Sequence, residues 1–175
     1  SVSDRLDELG LPVRLQIIIE TNHGLEAAYD IAHASNRIDS LLFGGVDLAA
    51  DLRCEYAWEP LLYARSRVVH AAAAAGVDAI DVPWLDLKDF DGLRQEAEAS
   101  ARLGFTGKGS IHPNQIAIIN EIFSPSADEI AHARKIVAAF TEANTGIVVV
   151  DGKLIERPVL RTMERIIAVA DRADA

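Results

Sequence analysis

The stretch Arg14-Leu15-Gln16-Ile17-Ile18-Ile19-Glu20 decides the fold, because a short, nearly continuous apolar run is typical of a strand that a parallel sheet buries on both faces. The same form recurs from Ile38 through Leu41-Leu42-Phe43-Gly44-Gly45 to Asp47. Each run ends on one carboxylate, and an acid at the carboxyl end of a buried strand is desolvated and needs a partner. A divalent cation is a suitable partner, so Glu20 and Asp47 are the first candidates for a functional site.

Strands and helices alternate along the rest of the chain. The hydrophobic periodicity predicts strands over residues 13–20, 38–43, 79–82 and 105–111. Helices are predicted over residues 24–34, 46–52, 60–76, 90–103, 114–123 and 126–142. A Val-rich strand at 146–150, followed by the turn Asp151-Gly152, predicts a small hairpin, and a last helix is predicted over 158–170.

Four strand-helix units in sequence predict an α/β fold with a parallel sheet. Two architectures fit, an open doubly wound sheet or part of a (β/α)₈ TIM barrel. The turn Glu20-Thr21-Asn22-His23-Gly24 is not a Gly-rich phosphate loop, which disfavours a dinucleotide-binding sheet. A whole barrel needs about 250 residues. We therefore interpret residues 1–142 as the last four units of a barrel and residues 143–175 as a C-terminal hairpin and helix extension.

The composition excludes several classes of function. With 175 residues, of which 50% are hydrophobic, the chain is long enough to bury a sizeable core. The 17 Lys and Arg against 27 Asp and Glu give a net charge of −10, which disfavours nucleic acid as a partner. The single cysteine, Cys54, excludes an intramolecular disulfide and a Cys-rich zinc site. Because no apolar run approaches membrane-spanning length and no targeting segment opens the chain, we expect a soluble, cytoplasmic protein without a membrane partner.

Further candidate residues follow the strands, because ligands gather at the carboxyl ends of the strands in both architectures. One helix and one crossover separate Glu20 from Asp47, which predicts that they follow adjacent strands. Asp81 ends the third predicted strand, and His112 lies where the fourth gives way to a helix. The alternative for each carboxylate is a helix cap or an ion-pair partner. Trp58 and Trp84 either line a substrate mouth or pack at its rim.

Six strings together resemble one family, although each alone is weak. They resemble the citrate lyase β subunit and the related malyl-CoA and citramalyl-CoA lyases of the HpcH/HpaI aldolase-citrate lyase superfamily, in that family's order and over nearly the whole chain. The strings are Ile19-Glu20-Thr21 with Gly24, Phe43-Gly44-Gly45-Val46-Asp47-Leu48, Ala79-Ile80-Asp81-Val82-Pro83, Leu103-Gly104-Phe105-Thr106-Gly107-Lys108, Ile111-His112-Pro113-Asn114-Gln115 and Asp151-Gly152-Lys153-Leu154-Ile155-Glu156-Arg157-Pro158.

The resemblance implies a Mg²⁺-dependent carbon-carbon lyase on a (β/α)₈ barrel. Such an enzyme cleaves a 3-hydroxyacyl thioester of CoA or of acyl carrier protein into a 2-oxo acid and an acetyl-type thioester. Glu20 and Asp47 match the two metal-binding carboxylates of the family. Glu156 matches the carboxylate that transfers a proton from a neighbouring subunit, which implies a homo-oligomer, a trimer or a hexamer. The remaining residues, expected to bind substrate or cofactor, are Gly44, Gly45, Asp81 and His112.

Two departures from the family pattern keep other functions open. The family commonly has Asp where this chain has Glu156, and its substrate-binding Arg belongs to the N-terminal half, which these residues do not include. One alternative is a metal-dependent aldolase that acts on free hydroxy-oxo acids. The other is a catalytically incomplete half-barrel that serves as an assembly module.

Overall fold

A parallel sheet of four strands organises the first part of the chain. In this computed structural model, which describes residues 2–143 and 146–173, the strands lie side by side in chain order. The parallel α/β prediction is confirmed, and the sheet order shows no reversal of the kind that marks a doubly wound fold. The strands are β1 (Leu15–Ile19), β2 (Ile38–Phe43), β3 (Asp78–Asp81) and β4 (Gly107–Lys108).

Seven helices accompany this sheet within the part of the chain that the structure describes. They are α1 (Val2–Glu8), α2 (Asn22–Glu26), α3 (Ala28–His33), α4 (Gly45–Leu52), α5 (Trp58–Ala75), α6 (Phe90–Leu103) and α7 (Pro113–Phe123). The sequence did not predict α1, and it predicted one helix where α2 and α3 meet at Ala27. The backbone N–H of Ala27 still donates to the His23 carbonyl, and that of Ile31 to the Ala27 carbonyl, so the break is a local distortion.

The fourth strand is shorter than the predicted span of 105–111, although single backbone bonds to β3 continue on both sides of it, from the N–H of Thr106 to the Ala79 carbonyl at 2.8 Å and from the N–H of Gly109 to the Asp81 carbonyl at 2.9 Å. Side chains make the other hydrogen bonds near its ends. The Thr106 hydroxyl accepts from the N–H of Ala79 at 3.1 Å. Beyond β4, the amide oxygen of Gln115 accepts from the N–H of Ile111 at 3.1 Å. A sequence pattern does not report this competition between side-chain and backbone hydrogen bonds.

The core lies between one face of the sheet and the helices. Leu41 and Phe43 of β2 and Ile19 of β1 are buried with Val68 and Ala71 of α5. The small side chains of the Ala-rich end of α5 allow the helix to approach the sheet closely. The helix ends at Gly76, whose φ of 71° is a left-handed conformation that favours glycine.

The opposite face of β1 is open, so the prediction of a strand buried on both faces is wrong. Ile18 is 49% exposed, and Gln16 beside it is also exposed. Gln16 donates to the Ser40 hydroxyl at 3.0 Å across this face. None of these three side chains belongs to the core that the helices cover. An apolar residue on an uncovered strand face indicates a surface that packs against further structure.

Residues 124–175 form a second compact unit. It contains α8 (Ala127–Ala143), the antiparallel hairpin of β5 (Ile147–Val150) and β6 (Lys153–Glu156), and α9 (Arg157–Ala173). The hairpin is as predicted. The helix at 126–142, which the sequence grouped with the sheet, instead packs on the hairpin, because Ile136 is buried with Val150 and Ile155.

Local sequence signals account for the ends of these elements. Asp151 and Gly152 have φ of 50° and 74°, the two positive values that a tight hairpin turn requires. Ser126 and Glu129 form a reciprocal capping box at the start of α8. Within the described residues, no helix is long and apolar enough to cross a membrane.

Candidate active site at the carboxyl ends of the strands

Glu20 and Asp47 follow neighbouring strands. Ile19 pairs with Phe43 at the ends of β1 and β2, and the N–H of Gly44 donates to the Ile19 carbonyl at 2.9 Å. Glu20 therefore stands directly beside Gly44, and Asp47 lies one helical turn further, in the first turn of α4. The adjacency that the spacing predicts is thus present in the sheet.

Neither carboxylate serves as a cap or an ion-pair partner, the roles that the sequence left open. Among the residues that the structure describes, the side chains of Glu20 and Asp47 have no hydrogen-bond or ion-pair partner. The residue at the start of α4 is Gly44, and no side chain caps that helix. Two carboxylates without protein partners at adjacent strand ends form a donor set that fits a hard divalent cation.

The protein supplies only part of a coordination shell. In residues 2–143 and 146–173, no three His, Cys, Asp or Glu side chains form a group that could hold a metal ion. Mg²⁺ is commonly bound by one or two carboxylates, with water and substrate oxygens as the other ligands. The residues present therefore fit Mg²⁺ bound together with an oxygen-rich substrate.

Gly44 and Gly45 act through close packing. A Cβ at Gly44 would lie 2.4 Å from the Glu20 Cβ and 3.2 Å from its Cα. A Cβ at Gly45 would lie 2.7 Å from the Phe43 ring. The two glycines thus allow the end of β1 and the start of α4 to approach each other, which fixes where Glu20 stands.

We expect Gly44→Ala to displace Glu20 and to destabilise the fold by about 1–3 kcal/mol, the usual effect of overpacking. Alanine tolerates the Gly44 φ of −88°, so the steric contact alone is tested. Urea denaturation measures the stability, and calorimetry measures Mg²⁺ affinity, which should fall as well. Val46→Ala, an exposed change in the same helix, is the matched control. Unchanged values for Gly44→Ala would show that the ends of these strands have room to adjust.

The loop after Glu20 is tied to α4. The N–H of Asn22 donates to the Asp51 carboxylate, and the N–H of Gly24 donates to the Thr21 hydroxyl at 3.0 Å, which caps α2. Asp51 is one turn beyond Asp47 on α4. A single helix therefore carries one candidate ligand and also holds the loop of the other.

Asp81 lies in a buried ion cluster, on the side of the sheet that faces the helices. The side chain is 0% exposed and accepts from Arg65 Nε at 3.0 Å, from Lys108 Nζ at 2.8 Å and from the Ser100 hydroxyl. Lys108 Nζ also donates to Glu96 at 2.6 Å and to the Val82 carbonyl at 2.7 Å. Both oxygens of Asp81 are thus used by protein donors, and the structure does not bring Asp81 together with Glu20 and Asp47.

Opposing effects set the pKa of Asp81. Burial raises the pKa, but the charges of Lys108 and Arg65, together with hydrogen bonds from Lys108 and Ser100, outweigh the burial and lower it overall. The carboxylate therefore remains ionised at neutral pH and joins the ends of β3 and β4. Arg65 has no strand-end position and was missed by sequence reasoning, because only the fold brings α5 over β3.

His112 follows β4 and is partly buried. Its Nδ1 accepts from the N–H of Asn114 at 3.2 Å, so the neutral ring carries its proton on Nε2. Gln115, which is buried, donates to the Trp84 carbonyl at 2.9 Å and so connects the loop after β3 to the loop that carries His112. Sequence reasoning did not single out Gln115.

Glu156 belongs to the second unit and ends β6. In the register of the hairpin, Val149 pairs with Leu154, and Glu156 lies on the same face, two residues beyond Leu154. Val149 and Leu154 are exposed, while Val150 and Ile155 on the other face are buried. The hairpin therefore presents a carboxylate beside an exposed apolar patch.

A parallel sheet with unpartnered carboxylates at adjacent strand ends defines an α/β protein suited to binding a metal and an oxygen-rich ligand. Residues 8–113 match the model of the HpcH/HpaI aldolase/citrate lyase family, and the chain belongs to that family. Among solved structures, the chain is similar to the Mycobacterium tuberculosis protein CitE in complex with magnesium, acetoacetate and coenzyme A, on which it superposes with a TM-score of 0.74. Sequence identity is 30%, over 90% of this chain and 61% of that one.

Curated relatives are similar over nearly all of this chain. The citrate lyase subunit beta of Leuconostoc mesenteroides is 33% identical over 97% of this chain and 59% of its own length. The mitochondrial citramalyl-CoA lyase of Rattus norvegicus is 34% identical over 93% of this chain and 52% of its own length. The chain thus spans between about half and three fifths of the length of these two relatives.

Proposed function

We propose that this chain carries the metal-binding half of a Mg²⁺-dependent carbon-carbon lyase. The enzyme would cleave a 3-hydroxyacyl thioester, carried on CoA or on acyl carrier protein, into a 2-oxo acid and an acetyl-type thioester. The observation that carries the proposal is the pair of unpartnered carboxylates, Glu20 and Asp47, at adjacent strand ends. Membership of a family whose relatives are named as lyases of citrate and citramalyl-CoA supports the reaction class.

Each residue of the site has a role in this proposal. Glu20 and Asp47 hold Mg²⁺, which supplies Lewis-acid stabilisation of charge on the oxygen of the carbonyl that forms. Gly44 and Gly45 keep the two strand ends close. His112 is proposed as a substrate-binding group whose Nε2–H donates to a carboxylate or carbonyl, since its Nδ1 accepts from Asn114. Asp81, proposed from the sequence as a binding residue, supports the site through the loops that its ion cluster joins.

We further propose that residues of the first unit are four consecutive units of a (β/α)₈ barrel. The strands follow chain order without reversal, and helices cover only one face of the sheet. The open face, with Ile18 exposed on it, matches the interior of a barrel that four more strands would complete. The activity therefore belongs to the protein in which the barrel is complete.

Glu156 is proposed as the proton donor to the thioester enolate that cleavage leaves. Its position on an exposed hairpin face, next to Val149 and Leu154, suits a carboxylate that is delivered to a site elsewhere, with the apolar patch forming the contact. We propose a homo-oligomer, a trimer or a hexamer, in which this face covers the site of a neighbouring subunit. We also propose a cytoplasmic location for this protein.

Titration calorimetry with MgCl₂ tests the metal site. We expect Glu20→Gln and Asp47→Asn each to weaken binding by more than about tenfold, since even outer-shell changes cost about 10- to 100-fold. Asp39→Asn, an exposed change in the strand that leads to Asp47, should leave the affinity unchanged. Equal affinity in all four proteins would overturn the metal site, and an absence of Mg²⁺ binding would favour an assembly module. Assays of oxo-acid release from thioester and free-acid substrates separate the lyase from an aldolase.

A further inference from the structure

Gln115 is a buried polar residue in the first turn of α7, and both ends of its amide are hydrogen-bonded. The residue is 1% exposed. Its Nε2 donates to the Trp84 carbonyl at 2.9 Å, and its Oε1 accepts from the N–H of Ile111 at 3.1 Å. Because one partner is a carbonyl and the other is an N–H, only one orientation of the amide satisfies both. Gln115 therefore joins the segment that follows β4 to the loop after β3, 31 residues away along the chain.

The loop after β3 is a firm anchor for this bond. Lys108 Nζ donates to the Val82 carbonyl at 2.7 Å. Gly109 lies so close to the next residue of the loop that a Cβ there would be 2.9 Å from the Pro83 Cγ. The backbone of the loop is thus held in place immediately before the carbonyl that Gln115 bonds. Gln115 fixes its own segment against a part of the fold that other contacts already hold.

The segment that carries His112 depends on polar contacts more than on burial. Ile111 and Pro113, on either side of His112, are exposed. The Ser110 hydroxyl can donate to the His112 carbonyl at 2.9 Å or to the Gln115 Oε1 at 3.3 Å. The backbone N–H of Gln115 also donates to the His112 carbonyl, at 3.0 Å. Gln115 thus holds this segment with its backbone and with its side chain.

The start of α7 orients the ring of His112. Its Nδ1 accepts from the N–H of Asn114 in the first turn of the helix. The Nε2–H is the polar group of the ring that remains for a substrate. A shift of the first turn of α7 relative to the loop after β3 therefore moves this N–H. A misplacement of about 1 Å is enough to change how an enzyme holds its substrate.

We propose that Gln115 is a positioning residue, whose side-chain amide fixes His112 at the carboxyl edge of the sheet by joining its segment to the loop after β3. This role rests on the proposed function, in which His112 binds the substrate. Gln115 is buried and bonded at both ends of its amide, so it acts through His112 and not on the substrate. A carboxylate offers no donor to the Trp84 carbonyl, and an ammonium offers no acceptor to an N–H, so the position suits an amide.

Histidine NMR tests this role without any measurement of activity. In a chain labelled with ¹⁵N-histidine, a His112→Asn sample identifies the His112 signals among those of the five histidines. At about pH 8.5, where an ordinary imidazole is neutral, we expect the signals of one tautomer, with the proton on Nε2. Gln115→Met keeps the length of the side chain but removes its donor and acceptor, so both ring signals should move toward those of a mixture of tautomers. Gln95→Met, the same substitution at an exposed position of α6, should leave them unchanged.

Kinetics of the complete enzyme measure the consequence for the substrate. We expect Gln115→Met to raise KM about three- to tenfold and to change kcat less than about twofold, because a contact that only binds acts equally in the ground state and the transition state. His112→Asn should raise KM at least as much. In the His112→Asn background, Gln115→Met should raise KM no further, because no ring is left to position. A residue that only stabilised the fold would act with or without His112.

Ser110→Ala gives an independent result if Gln115→Met does not fold. Ser110 is exposed, and loss of its hydroxyl should shift the His112 signals in the same direction by a smaller amount. Unchanged His112 signals in the variant that folds, or an equal rise in KM with and without His112, would overturn the positioning role and leave the proposed lyase in place. An unchanged KM in His112→Asn would overturn it together with the substrate-binding role of His112. Shifted signals in an enzyme that cleaves no thioester would support the contact with His112 and contradict the proposed function.

Discussion

Replacing Glu156 by Gln should lower kcat of the complete enzyme by about 10²- to 10⁴-fold, the usual contribution of a positioned acid or base. The amide keeps the shape of the side chain and loses the exchangeable carboxyl proton. Because the proposed metal ligands Glu20 and Asp47 belong to the first unit and Glu156 belongs to the second, Mg²⁺ affinity should not change. Turnover of malyl-CoA, citramalyl-CoA and citryl thioesters measures the effect, with calorimetry as the check on the metal site.

A conservative variant tests the reach of this carboxylate. The family pattern described above implies Asp at this position, so Glu156→Asp should retain most of the activity if the carboxylate transfers the proton. Lys153→Gln, on the same strand and also exposed, is the control for general disturbance of the hairpin. Full activity of Glu156→Gln would show that Glu156 does not transfer the proton, and it would not contradict the proposed metal site.

Local signals in the sequence predicted most of the fold. The predicted Asp151-Gly152 turn is present. The predicted helices over 60–76 and 126–142 are also present, and their ends at Gly76 and Ser126 depend on a few neighbouring residues. The burial of β1 could not be predicted in this way. An apolar run identifies a strand, but only the arrangement of the neighbouring elements determines whether one face or both are covered, and the face that carries Ile18 is open.

The candidate site, too, could be predicted only in part from local sequence, because the sequence does not show which face of the sheet each residue lies on. Glu20 and Asp81 both end parallel strands, and the sequence assigned both to one site. Side chains alternate along a strand, so Asp81 lies on the same face as Ala79, which is buried under the helices. The alternation contained this information, but the partners that hold Asp81, Arg65 and Lys108, lie 16 and 27 residues away along the chain and become visible only in the fold.

The ion cluster is where we expect the largest loss of stability. Asp81→Asn should lower the free energy of unfolding by about 3–5 kcal/mol, because it leaves Arg65 and Lys108 with one carboxylate between two buried cations. Trp58 and Trp84 fluorescence in urea follows the first unit alone, since both tryptophans lie within it. Glu121→Gln, which breaks an exposed pair with Arg94, should produce no measurable change.

Stability measurements in acid and on a double variant distinguish what the charge of Asp81 contributes to the free energy of unfolding from what its packing contributes. Because the pKa of Asp81 is lowered in the folded protein, its ionisation stabilises the fold at and above the ordinary range of a carboxyl group. This contribution is lost as pH falls through the lowered pKa, so the gap between wild type and Asp81→Asn should narrow in acid. Adding Lys108→Met removes one of the unbalanced cations, and the double variant should be more stable than the sum of the single changes predicts. Strict additivity, with a gap that does not depend on pH, would show that Asp81 stabilises the fold by packing alone.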